Sequence, residues 1–133
     1  LLPKRIIIVS SAPQIRYPDC YGIDMSRMGE FVAFRAMEAL LVKEGKQKLM
    51  KQVYKKAIEE LKKPIHKQKN VVQELYEQFK YEDVSEMIGT IITPKGTKPK
   101  VDVIYQTIED LRQSCPNNNG DWYFSGNYPT PGG

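Results

Sequence analysis

The sequence is poor in the residues that carry most enzyme chemistry, with two cysteines, one histidine and one tryptophan among 133 residues. Two cysteines, Cys20 and Cys115, cannot build a disulfide framework, so a reduced, cytoplasmic setting is expected. His66 follows Pro64 in a lysine-rich junction, with no carboxylate or apolar partner nearby in sequence. Histidine can serve as acid, base or metal ligand, but nothing around His66 points to such a role. No apolar run approaches the roughly 18–20 residues of a membrane-spanning helix, which excludes a transmembrane segment and a membrane partner. Leu1-Leu2 is too short for the apolar region of a signal peptide. No internal repeat occurs, and Asn117-Asn118-Asn119 is the one low-complexity tract.

Charge is also modest. The formal net charge is +4, and 27% of residues are charged, a composition of soluble globular domains rather than disordered chains. A basic excess can mark a nucleic-acid partner. Here, however, lysines alternate with Glu59, Glu60, Glu74 and Glu77, the pattern of solvated helix faces. Nucleic acid is therefore not the expected partner. A chain of this length fits one domain with a real core.

What the sequence does contain begins at Ile6-Ile7-Ile8-Val9, an unbroken β-branched run between basic residues and Ser10-Ser11. Such a run suits a strand covered on both faces in a parallel sheet. Pro13 and Pro18 exclude a continuing strand, and Tyr21-Gly22-Ile23-Asp24 reads as a turn. Ser26 is the expected N-cap of the first helix. Met28, Phe31, Val32, Phe34, Met37, Leu40 and Leu41 cover more than one face of it, and Gly45 ends it.

A second helix is expected from about Lys46 to Lys62, with Leu49, Val53, Ala57 and Leu61 as its apolar stripe. A third spans Asn70 to Lys80, and a fourth begins near Asp83. Gly89 inside the fourth costs about 1 kcal/mol relative to alanine and suits a close helix contact. Thr93–Lys100 reads as an exposed loop and Val101–Tyr105 as a short strand; Thr107 then caps a helix through Ile108, Leu111 and Arg112. From Pro116 onward no helical period is present.

Two segments carry a resemblance. Ser10–Met25, above all Arg16-Tyr17-Pro18 with Tyr21-Gly22-Ile23-Asp24, resembles the glutamine phosphoribosylpyrophosphate amidotransferases (amidophosphoribosyltransferases), in the segment after their substrate-binding loop. Phe124-Ser125-Gly126-Asn127-Tyr128-Pro129-Thr130 is similar to the ending of many members of that family. The stretch between looks like a longer variant of the family's C-terminal region. The family's N-terminal cysteine nucleophile and its acidic pair with a Gly/Thr-containing phosphate loop have no counterpart here, so the chain is expected to be a C-terminal fragment.

The resemblance implies a glycosyltransferase of purine biosynthesis, in which ammonia from glutamine displaces pyrophosphate from phosphoribosyl pyrophosphate to give phosphoribosylamine. It implies magnesium bound with the substrate in the full-length enzyme and no cofactor in this fragment. Some family members bind an iron–sulfur cluster, for which four thiolates are the usual ligands. Cys20 sits one position later than their ligand and Asn117–Tyr123 holds no cysteine, so no cluster is expected and the cysteines are taken as structural.

No catalytic residue and no metal ligand is assigned within the chain. Tyr21 and Asp24 are the candidates for supporting the substrate site from behind. A plain structural account competes, in which Asp24 caps a helix and Tyr21 packs on the strand. Trp122, Tyr123, Phe124 and Tyr128 are expected to cover a core.

The fold expected is α+β and mostly helical, the C-terminal part of a type I phosphoribosyltransferase domain. One buried strand precedes about five helices and a short second strand. Residues 1–25 form the last core strand and loop, 26–115 a helical extension, and 116–133 an irregular tail. The expected partners are the glutaminase domain and phosphoribosyltransferase core of the same polypeptide, within a homo-oligomer. The alternative is a non-catalytic helical module binding nucleic acid or protein through a basic face.

Overall fold

The computed structural model describes residues 3–19 and 25–129. The elements run β1 (Ile6–Ser10), α1 (Val32–Lys43), α2 (Gln47–Leu61), α3 (Gln73–Tyr76), α4 (Tyr81–Ile92), β2 (Val101–Tyr105), α5 (Ile108–Ser114) and α6 (Trp122–Ser125). Single 3₁₀ turns precede α1 (Met28–Glu30) and follow α2 (Ile65–Lys67). The protein is α+β, with helices predominating around one small sheet.

That sheet pairs β1 with β2 in parallel, in the register Ile6 to Val101 through Ser10 to Tyr105. Paired residues share a face, so Ile6, Ile8, Val101, Val103 and Tyr105 point one way and Ile7, Val9 and Ile104 the other. Helix α4 covers the β2 part of the first face, where Val103 and Tyr105 pack against a cluster of Ala33, Ala36, Leu40, Val84 and Ile88, while Ile6 and Ile8 on the same face stay 37% and 45% exposed. The second face is bare, with Ile7 49% and Val9 72% exposed. β1 is therefore not the buried strand its composition predicts. Among the described residues it has one strand neighbour, and no helix lies over its second face.

Helix α1 is the central element because apolar residues surround much of it. Met37 and Leu41 face a cluster with Tyr17, Val53, Leu75 and Tyr76, while Ala33, Ala36 and Leu40 face α4. Gly45, at φ 68°, ends the helix in a conformation that costs glycine little. Its start differs from expectation: Phe31, in extended conformation, occupies the N-cap position, and Ser26 precedes the intervening 3₁₀ turn.

Helix α2 runs as predicted, but its stripe does not. Leu61 is 69% exposed, because residues four apart drift about 40° around a helix at each step. Three steps carry Leu61 about 120° away from Leu49. Helix α3 is one turn, not eleven residues; Asn70 Oδ1 instead accepts from the Val72 N–H at 3.2 Å, forming a turn ahead of it. Helix α4 begins at Tyr81, close to the expected start at Asp83, whose carboxylate accepts from the Lys80 N–H at 3.1 Å. The tail is not wholly irregular, since α6 forms a helical turn there. The Thr107 cap is as expected, its hydroxyl accepting from the Asp110 N–H at 3.0 Å. A Cβ at Gly89 would collide with the Val101 carbonyl oxygen, so this glycine lets α4 lie directly on β2.

Candidate functional site

The loop after β1 is the best-buried polar segment of the molecule. Gln14 is 1% exposed, and its amide is used at both ends. Nε2 donates to the Tyr81 carbonyl at 3.0 Å and to Ser85 Oγ at 2.7 Å, while Oε1 accepts from Arg16 Nε at 3.1 Å and Nη2 at 2.8 Å. The Gln14 N–H donates to the Tyr81 hydroxyl at 2.8 Å, which in turn donates to the Gln106 carbonyl at 2.9 Å. One phenol thus ties the loop after β1 to the end of β2.

Arg16 lies between two aromatic rings, 4.7 Å from the Tyr76 centroid and 4.9 Å from that of Tyr81. Cation–π contacts of this kind are worth about 0.5–2 kcal/mol. Burial lowers the Arg16 pKa, opposed by the neighbouring phenols. Burial also pushes the Tyr17 hydroxyl up to about 12, and raises Tyr76, Tyr81 and Tyr105. These phenols stay protonated at neutral pH, so they act as hydrogen-bonding and packing groups there.

The C-terminal segment grips the same loop. The Arg16 and Tyr17 N–H groups both donate to the Tyr123 carbonyl, at 2.9 and 3.1 Å. Trp122 Nε1 donates to Asp19 Oδ2 at 3.1 Å, and the Tyr128 hydroxyl donates to the Pro18 carbonyl. Gly126 caps α6 at φ 75°, where an added Cβ would lie 2.6 Å from Asn70 Nδ2 and 2.9 Å from Tyr17 Cζ. Gln73 Nε2 holds the adjoining Ser125 carbonyl at 2.8 Å. Of the four tail aromatics, Tyr128 packs on the core cluster as expected, Trp122, Tyr123 and Phe124 lie ring to ring with one another, and the segment also fastens the loop.

Next to this junction, at the carboxyl ends of both strands, is a pocket of about 270 Å³. Ligands of open parallel sheets bind at such ends. Ser10 and Tyr105 supply its hydroxyls, and Pro13, Ile15, Met25, Phe31 and Val32 most of its apolar wall. Ser10 Oγ donates to the Ala12 carbonyl at 3.0 Å, and no base is among the described residues that line the pocket. The described arrangement can bind or support a group.

Tyr21, Asp24 and Cys20 lie outside the described residues. Their flanks are joined, the Asp19 N–H donating to the Met25 carbonyl at 2.9 Å, and Met25 borders the pocket. Cys115 is exposed, which overturns its expected structural role, and His66 is exposed in its 3₁₀ turn. Among the described residues no group of three or more His, Cys, Asp or Glu side chains could hold a metal ion.

Sequence reasoning gave Gln14, Tyr81 and Gly126 no individual role. Gly126 had a usable signal, a glycine directly after an aromatic turn, whereas the Gln14–Tyr81 pair is separated by 67 positions and leaves no local trace. No family model, curated protein or solved structure gives a significant match to the chain.

Proposed function

We propose that the chain is the C-terminal region of an amidophosphoribosyltransferase, a cytoplasmic glycosyltransferase of purine biosynthesis. The supporting observation is the junction itself. The two segments that resemble the family stand over a hundred positions apart, yet the Tyr128 hydroxyl donates to the Pro18 carbonyl, and Tyr123, just before the second segment, accepts from the Arg16 and Tyr17 N–H groups. Segments selected for one joint purpose would be expected to meet in this way. The sheet adds weight: β1 is apolar on both faces, the composition of an internal strand of a larger parallel sheet, but has a single strand neighbour among the described residues.

On this proposal β1 belongs to the core sheet of a type I phosphoribosyltransferase domain. The loop fastened by Gln14 and Tyr123 buttresses the phosphoribosyl site through Tyr21 and Asp24. Catalytic groups are supplied by other parts of the same polypeptide, within a homo-oligomer. On this proposal magnesium is bound with the substrate in the full-length enzyme, and no step is routed through this chain.

The test is to express the uninterrupted reading frame containing this chain and assay its product with phosphoribosyl pyrophosphate, magnesium and either glutamine or ammonia. Pyrophosphate release is expected with both nitrogen donors, and none from the 133-residue chain alone. A full product that releases none with either donor would overturn the assignment. Release by the chain alone would overturn the placement of the catalytic groups elsewhere.

A further inference from the structure

Helix α2 has two apolar rows, of which the core uses one. Val53 is buried against Met37 and Leu41, with Leu49 and Met50 beside it. Tyr54, Ile58 and Leu61 follow at i, i+4 and i+7, which aligns them along a different side of the helix. Tyr54 is 67% exposed and Leu61 69%. The ridge is about 10 Å long, from the helical rise of about 1.5 Å per residue. Exposed single apolar residues need no explanation, but a row at helical spacing does.

Beside this ridge, on the side away from the core, stand Lys48, Lys51 and Lys55, again at helical spacing. None of the three forms an ion pair among the described residues, whereas Lys56 pairs with Glu74 and Lys62 with Glu59. The helix thus presents an apolar ridge with unneutralised positive charge along one flank only. The other flank is closed by Leu49, Met50 and the core.

We infer that this face of α2 docks an acidic amphipathic helix of a protein partner. Its apolar residues, at i, i+3 or i+4 and i+7, would seat against Tyr54, Ile58 and Leu61, and its carboxylates would meet Lys48, Lys51 and Lys55. Helices recognise one another through such anchors, and charge complementarity at the edge sets orientation and partner choice. A bilayer is a poorer fit, because interfacial helices carry cations on both sides of the apolar strip. Duplex nucleic acid would use the lysines and leave the ridge in water.

The experiment is a titration of the isotope-labelled 133-residue chain with a helical peptide of roughly 20 residues bearing a leucine stripe and glutamates along one flank. Parallel arms use the same peptide with lysine for glutamate, phosphatidylserine vesicles, and a DNA duplex. Amide shifts confined to α2 and the following turn are expected. Affinity should fall about tenfold in Leu61→Ser and in the double variant Lys51→Glu/Lys55→Glu, and fall with added salt. Both variants alter exposed positions, so the fold should be retained, with the remaining amide spectrum as the check. Absence of shifts, equal affinity for the lysine peptide, or indifference to both variants would overturn the inference. So would tighter binding to vesicles or DNA than to the acidic peptide.

Discussion

Two neighbouring stretches of the N-terminal segment have exchanged the environments their compositions suggest. Ile6–Val9 is the most apolar run in the chain and is exposed, whereas Gln14, Arg16 and Tyr17, an amide, a guanidinium and a phenol, turn inward and leave only Ile15 between them exposed. Apolar side chains need only be covered, and here few elements are available to cover them. The polar groups of the second stretch each require a partner at a particular distance, and α3, α4 and the C-terminal segment supply those partners. Gln14–Tyr17 therefore finds its partners among the described residues, whereas the outer face of β1 is left exposed.

The contrast would be broken most severely at Gly126. Gly126→Val would force a β-branched residue into φ 75° and drive its Cβ into Asn70 and Tyr17. Backbone strain and overpacking together predict a loss of about 4 kcal/mol, read as a lowered urea midpoint. A loss below about 1 kcal/mol would mean that the junction gives way cheaply.

A paired comparison sharpens it. Met37→Ala, at a fully buried position, should cost about 2–5 kcal/mol. Ile7→Ala, on the bare sheet face, should cost under about 1 kcal/mol in the isolated chain. Equal costs would show that β1 is covered in solution.

Alkaline pH separates the regions in another way. Tyr17 has its pKa raised to about 12 and Tyr76 is also raised, against roughly 10 in an unfolded chain. Above pH 10 the unfolded state releases protons that the folded state retains, so stability falls as pH rises. Each of the two buried phenols should remove on the order of 1 kcal/mol by pH 11. Denaturant midpoints measured from pH 8 upward check this, and a flat profile to pH 11 would contradict the burial.

The smallest effect is expected from β1 in self-association. Ile6 N–H bonds the Lys100 carbonyl, and Gln106 N–H bonds the Ser10 carbonyl. The even-numbered residues therefore face β2, leaving Ile7 and Val9 backbone groups at the open edge. Such an edge is a template for another strand. The chain should dimerise weakly in sedimentation, and Ile7→Lys should shift it toward monomer. A monomer at all concentrations would show the edge to be protected.

Much of the helical framework was legible from the sequence. Gly45, the Thr107 cap and the double-faced α1 each rest on a local rule that nothing distant overrides. Leu61 was misplaced because a strict four-residue step was taken for a constant face. The burial of β1 was misjudged because composition reports the surroundings a strand is suited to, not those present within one chain. The loop's partners were illegible for a different reason. Tyr81 reads locally as a helix-start residue, and only the fold brings its hydroxyl to Gln14 and Gln106.

The pairing of β1 with β2 has a consequence in time. Ile6 and Val101 are partners about 95 positions apart, so loop closure makes their pairing slow relative to the local helices. During synthesis at roughly 5–20 residues per second, β1 waits about 5–20 s before Val101 has been made. Throughout that interval four consecutive β-branched residues are exposed to every other nascent or unfolded chain. Lys4 and Arg5 immediately precede them, where charges restrain strand-to-strand aggregation. Arg5 later pairs with Asp102, so the residue that guards the waiting strand also helps fix the register in which its wait ends.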